Sequence, residues 1–292
     1  MRALKRIPDF INLAKPSIML LVVLTGAAAL FMEGSLLHQP LRFLGVIAGL
    51  LMTGGCANAL NQYFERDIDA QMGRTRKRRP LPTHKVTPRE ALIFSVSNGF
   101  AAFILFAVFY NWLAAAASLF TILYYSFLYT LWLKPRTYLN IVIGGAAGAM
   151  APVISWSAAA GSLSLTPWLL FLIVFFWTPP HFWALALCVK KDYAAVAIPM
   201  LPVIKGDAET RKQILIYTFW LVAISLALLL VKAGLVYLLF AIGLGALFVW
   251  KTYSVWRQQD NAHAWSVFKY SIVYLMALFV AIMADSLFRM KV

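Results

Sequence analysis

Apolar residues run through this chain in nine long blocks, near 17–33, 43–64, 91–110, 112–133, 138–158, 167–188, 213–231, 234–253 and 266–286, parted by short polar connectors. Each block is long enough for an α-helix to cross the hydrocarbon core of a bilayer, which takes about twenty residues. The pattern therefore predicts an all-α, polytopic membrane protein with nine transmembrane helices. A single integral-membrane domain over 1–292 is expected. Blocks three and four are joined by little more than Asn111, a tight hairpin, and the aromatic stripe Phe100, Phe103, Phe106 and Phe109 reads as core or lipid contact. The run 144–152, "GGAAGAMAP", reads as a surface that lets helices approach closely. Pro179 and Pro180 predict a break inside block six, with His181 beside it.

Composition confirms the solvent. At 62% hydrophobic and 13% charged, with mean hydropathy +0.77, the chain is too apolar for a soluble domain. The basic start leads into a full-length apolar block without a small-residue cleavage site, so the first span is expected to stay. Cys56 and Cys188 both read as reduced core residues in apolar surroundings near helix ends, and not as a disulfide.

Charge orients the chain. With alternate connectors assigned to alternate sides, 21 of the 26 Lys and Arg residues fall on the side of the N-terminus. The positive-inside rule then places the N-terminus in the cytoplasm and the C-terminus outside; a bacterial inner membrane is the expected location. The net charge of +15 is topology and anionic-lipid contact, and calls for no nucleic acid.

Two polar features exceed what topology requires. At 100° per residue Asn61, Glu65 and Asp69 lie within about 80° of one another, an amide and two carboxylates on one helix face, while Asp67 points elsewhere. Residues 74–79, "RTRKRR", follow directly with five basic groups in six positions. Hard oxygen ligands suit Mg²⁺ and clustered cations suit phosphate, so the pair points to a metal-bound diphosphate. The bland readings are interfacial charges at a helix end and a lipid-headgroup patch. The connector after block six carries Lys190, Lys191, Asp192 and Lys205 on the same side, and Tyr124, Tyr125 and Tyr129 approach Lys134 and Arg136 there too. This common sidedness predicts one composite site. An intramembrane histidine is a site candidate by default, so His181 joins it. His38, His84 and His263 read as solvated.

The Asn61, Glu65, Asp69 helix with its trailing "MGRTRKRRPL", the segment "YTLWLKPRT" and the stretch "WTPPHFWALALCVKKDYAAVAIPMLPVIKG" together resemble the haem-farnesylating branch of the intramembrane aromatic prenyltransferase superfamily. The resemblance runs through all nine blocks. It implies nine helices bundled around a central cavity, with Mg²⁺ and prenyl diphosphate at the cytoplasmic end. It also implies transfer of a farnesyl group from farnesyl diphosphate to the vinyl group of haem B. The implied catalytic residues are Asn61, Glu65, Asp69 and His181, the first three holding Mg²⁺. The implied substrate-binding residues are Arg74, Arg78, Arg79, Lys134, Lys191, Asp192 and Tyr129. The spacing of the arginine run leaves open which of Arg76, Lys77, Arg78 and Arg79 meets the diphosphate. Only Asp192 stands where a second aspartate-rich motif would fall, which leaves open one Mg²⁺ or two. Implied partners are farnesyl diphosphate, haem B, membrane lipid and membrane enzymes that use haem O or form haem A. Competing readings are a prenyltransferase for another aromatic or tetrapyrrole acceptor and a membrane transporter with a broken helix.

Overall fold

Proline starts several helices of this chain. It stands in the first turn of α1 (Ile7–Ala14), α2 (Pro16–Glu33), α3 (Pro40–Phe64) and α5 (Pro88–Phe109), where its missing N–H costs nothing because the first turn has no carbonyl to meet. Between α3 and α5 lies the short α4 (Arg66–Gln71). Thr87 adds a reciprocal capping box with Glu90 at the start of α5. Asn111 caps α6 (Trp112–Leu123), accepting from the Ala114 N–H at 2.9 Å, and its amide donates to the Ser157 carbonyl at 2.7 Å. One side chain thus closes the hairpin and ties it to a third span. The computed structural model describes residues 6–73, 75–231 and 233–290.

The order continues with α7 (Asn140–Gly148), α8 (Ala151–Ala160), α9 (Leu165–Cys188), α10 (Lys190–Ala195), α11 (Leu201–Ile204), α12 (Gly206–Ala227), α13 (Leu235–Gln258) and α14 (Ala264–Met290). Among the described residues nine helical segments are long and apolar enough to cross a membrane, which makes this an integral membrane protein. There is no strand among them. The spans of α3, α7–α8 and α9 are the most buried by protein, and those of α5, α12 and α13 the least. The former build the interior and the latter face outward. Two apolar clusters knit the bundle. One gathers α9, α12, α13 and α14 around Trp183, Tyr237, Phe248 and Tyr274; the other gathers α2, α3, α5, α6 and α8 around Leu50, Phe106 and Ile154.

Five details depart from the sequence reading. Helix α9 runs from Leu165 to Cys188 through Pro179 and Pro180 without a break. Each proline withholds one ladder donor, and packing against α12 and α14 holds the helix where the ladder is short. The fifth span does divide, between Gly148 and Ala151, just ahead of Pro152. The fourth leaves α6 as a π-helix over Tyr124–Leu133. Cys188 is exposed, whereas Cys56 is buried, and both are free thiols. Spans also start earlier or end later than the apolar blocks, as at Gly206 and Gln258, because polar end turns stay helical.

Candidate functional site

The α3 helix ends at Phe64 and α4 starts at Arg66, with Glu65 at the joint, yet the four-residue register survives it. The Glu65 N–H donates to the Asn61 carbonyl at 3.0 Å, and the Asp69 N–H to the Glu65 carbonyl at 2.8 Å. Asn61, Glu65 and Asp69 are all buried and line one cavity. Asp67 is exposed.

The opposite wall comes from the π-helix. Its five-residue backbone bonding is seen where the Lys134 N–H donates to the Tyr129 carbonyl at 2.9 Å, and the Thr130 side-chain hydroxyl donates to the Tyr125 carbonyl at 2.8 Å. The wider turn puts Tyr125, Tyr129 and Lys134 on the cavity. Gly144 makes room for Tyr129: a Cβ there would sit 2.0 Å from the ring. Small residues in this run therefore serve close approach, as their composition suggests.

Three cations reach the oxygen face. The Lys15 ammonium donates to Asn61 Oδ1 at 2.8 Å, whose amide in turn donates to Thr130 at 3.1 Å. Lys134 Nζ donates to Glu65 Oε1 at 2.5 Å. Arg79 pairs with Asp69 and lies 3.6 Å from Glu65 Oε2. Burial would raise Glu65, but Lys134, Arg79 and Lys15 outweigh it and leave its carboxyl below the usual range. Burial lifts Asp69, and the neighbouring Glu65 adds to the lift beyond what Arg79 offsets. Burial, together with the crowding of Arg79 and Lys134, holds Lys15 well below an ordinary lysine. Three cations facing two carboxylates favour a further anion.

Lys15 escaped the sequence reading. It sits at the joint of α1 and α2 with φ of 55°, in the left-handed region that a side chain adopts only under constraint. The constraint comes from α3: Gln62 donates to the Leu13 carbonyl at 2.9 Å and Asn58 to the Ala14 carbonyl at 3.0 Å. The polar residues flanking Asn61 therefore dock α1. A lysine just ahead of the first span, in "LAKPS", was the available signal.

The cavity, about 620 Å³, continues past this polar end between Ile141, Ile154, Val174 and Leu275 to Trp177 and His181. It brings together Asn61, Glu65, Asp69, Arg78, Arg79, Tyr129, Lys134 and His181. Arg78 is exposed and Arg79 half-buried. Lys191 is exposed and Asp192 half-buried, and both lie outside the lining; Asp192 is beside Gly73. Arg74 lies outside the described residues. Arg76 and Lys77 are exposed and away from the lining. His38, His84 and His263 are exposed.

Among the described residues no three or more His, Cys, Asp or Glu side chains converge as a metal cage. The donor set is instead one amide and two carboxylates, all hard oxygens. That set fits Mg²⁺, which commonly keeps waters and phosphate oxygens for its remaining positions.

The sequence profile of the UbiA prenyltransferase family matches residues 20–280. A protoheme IX farnesyltransferase of Chloroflexus aurantiacus is 44% identical over 283 residues, 96% of this chain, but the chain spans only 48% of that relative's length. Relatives of the same name are 43% identical in Parvibaculum lavamentivorans and 44% in a Picosynechococcus species, each over 96% of this chain and 89% of the relative. Among solved structures, a digeranylgeranylglyceryl phosphate synthase superposes with a TM-score of 0.79 at 18% identity, covering 97% of this chain and 99% of the other. A UbiA homologue from Archaeoglobus fulgidus bound to DMAPP and Mg²⁺ superposes at 0.67 and 14% identity, covering 94% and 99%. These structures share the fold.

Proposed function

This chain belongs to the UbiA prenyltransferase family, and we propose that it transfers the farnesyl group of farnesyl diphosphate to the vinyl group of haem B, yielding haem O and diphosphate. The observation that carries the reading is the single cavity, which joins an oxygen-and-cation mouth to an apolar end bearing a buried histidine. The names of relatives that span most of their length with this chain supply the acceptor.

Asn61, Glu65 and Asp69 are the residues that would hold Mg²⁺. When bound, the ion neutralises charge building on the leaving diphosphate. Lys15, Arg79 and Lys134 face the same place; Lys15 gives up the Asn61 amide oxygen, and Arg79 and Lys134 their carboxylates, for diphosphate oxygens. Arg78, at the lining, meets the arriving diphosphate first, and Lys191 and Asp192, outside the lining, belong to the same substrate-binding set. As the allylic C–O bond breaks, its electron pair leaves with the diphosphate. The apolar walls keep water from the farnesyl cation, and Tyr125 and Tyr129 add aromatic rings to the lining. The vinyl π electrons form the new C–C bond. Water then adds to the vinyl-derived cation and loses a proton, leaving a hydroxyethylfarnesyl group. His181, at the apolar end, belongs to the acceptor half. The positive-inside pattern puts the mouth on the cytoplasmic face.

The test is haem analysis by mass spectrometry in cells expressing the protein. Farnesylated, hydrated haem is expected. A different prenylated ring overturns the acceptor, and movement of substrate without chemistry overturns the enzyme.

A further inference from the structure

The last span reads as almost featureless in sequence, yet α14 holds the partner of the cavity histidine. Of the four histidines, His181 alone is buried. Its ring lies between Trp177, with centroids 4.3 Å apart and planes 18° apart, and Phe268, at 4.7 Å and 27°. Phe182 meets its edge at 5.0 Å. His181 Nδ1 lies 2.7 Å from Ser271 Oγ, and the Trp177 indole donates to the Ser271 carbonyl at 2.6 Å. The ring is therefore clamped on two faces and tied at one nitrogen.

The direction of the Nδ1 bond follows from a proton count. The Ser271 hydroxyl has one proton, and it donates to the Phe268 carbonyl at 2.6 Å. The Ser271 oxygen must then accept from His181, which places a proton on Nδ1. No carboxylate among the described residues hydrogen-bonds the ring, and an unpaired charge between Trp177 and Phe268 would be costly, so the imidazole carries that single N–H. Nε2 keeps a free lone pair. It has no protein partner among the described residues, and the ring lines the cavity.

We propose that Ser271 is a positioning residue, which holds His181 as the Nδ1–H tautomer so that Nε2 presents its lone pair to the iron of the tetrapyrrole acceptor. The proposal rests on haem being the acceptor. Histidines that bind a metal characteristically donate the other ring N–H to a fixed partner, which sets tautomer and orientation and raises ligand basicity. Ser271 fills that part here from a residue 90 positions away.

The experiment uses the full chain purified in detergent. With histidine labelled in ¹⁵N and no haem present, the His181 signals, identified by their loss in His181→Ala, are expected to show the Nδ1–H tautomer. Ser271→Ala should lose that preference and Ser271→Thr, which keeps a hydroxyl, should retain it. Upon haem titration, Ser271→Ala is expected to bind about tenfold more weakly with altered optical and EPR spectra. Its affinity for farnesyl thiodiphosphate, a poorly reactive donor analogue, should be unchanged, and its melting temperature close to that of the parent protein. An Nε2–H tautomer in the parent protein overturns the proposal. So does Ser271→Ala with the parent's haem affinity and spectra. If the parent protein binds the thiodiphosphate but no haem, the acceptor reading fails and takes the iron contact with it, while the ¹⁵N pattern still reads the tautomer separately.

Discussion

At the scale of single residues, the mouth of the cavity holds its oxygens ready by pairing each with a cation, and the two sets should separate in experiment. Asp69→Asn and Glu65→Gln are expected to lower turnover by about a hundredfold or more, with folding retained, because these groups face a cavity rather than the packed core. Turnover and melting temperature of the purified variants check this, and parental activity in either removes the metal assignment. Lys15→Met removes one charged hydrogen bond, of a kind worth about 1.5–3 kcal/mol. Prenyl diphosphate affinity should fall about tenfold or more, and a titration with unchanged affinity would return Lys15 to a purely structural role. Asn61, Glu65 and Asp69 were legible because a spacing of four survives the α3–α4 junction. Lys15 was not, since its contact depends on a left-handed joint held by side chains 44 to 50 positions away.

At the scale of elements, two structures place the walls. The π-helix over Tyr124–Leu133 and the split fifth span face each other at Gly144 and Tyr129. Gly144→Val puts a branched side chain where even a Cβ would overlap the Tyr129 ring. We expect destabilisation of about 1–3 kcal/mol, the range for overpacking, together with loss of turnover from a displaced Tyr129. Denaturant unfolding and activity measure the two effects. Asn111→Ala removes a helix cap and a tie to the Ser157 carbonyl; about 1 kcal/mol of stability should go, with catalysis intact. Neither wall was fully readable. The aromatic and apolar residues of 124–133 suit an α-helix as well as a π-helix, and the five-residue bonds arise from how this segment meets its neighbours. Pro179 and Pro180 misled in the other direction, because tertiary packing carries α9 across two missing donors.

At the scale of the whole molecule, the prediction is one of sidedness. In a background without Cys56 and Cys188, a membrane-impermeant thiol reagent added outside should fail to label Lys77→Cys and Asp207→Cys and should label Gly161→Cys. The reverse pattern would separate the arginine connector from the cytoplasm and dismantle the arrangement of the mouth.

The sequence by itself determined the solvent, the all-α class, the nine spans and the crowding of basic residues into alternate connectors. These follow from local properties: run length, hydropathy and charge count. It also marked the amide, the two carboxylates and His181, because polar groups inside or at the end of an apolar run stand out against their surroundings. What only the tertiary structure decided was which groups share a space. That the oxygens and His181 line one cavity, that Lys191 and Asp192 stand outside it, and that Ser271 holds the histidine depend on helix rotations and crossings set by packing over the entire bundle. Packing is a property of pairs of faces, and no single stretch of chain contains both members of a pair.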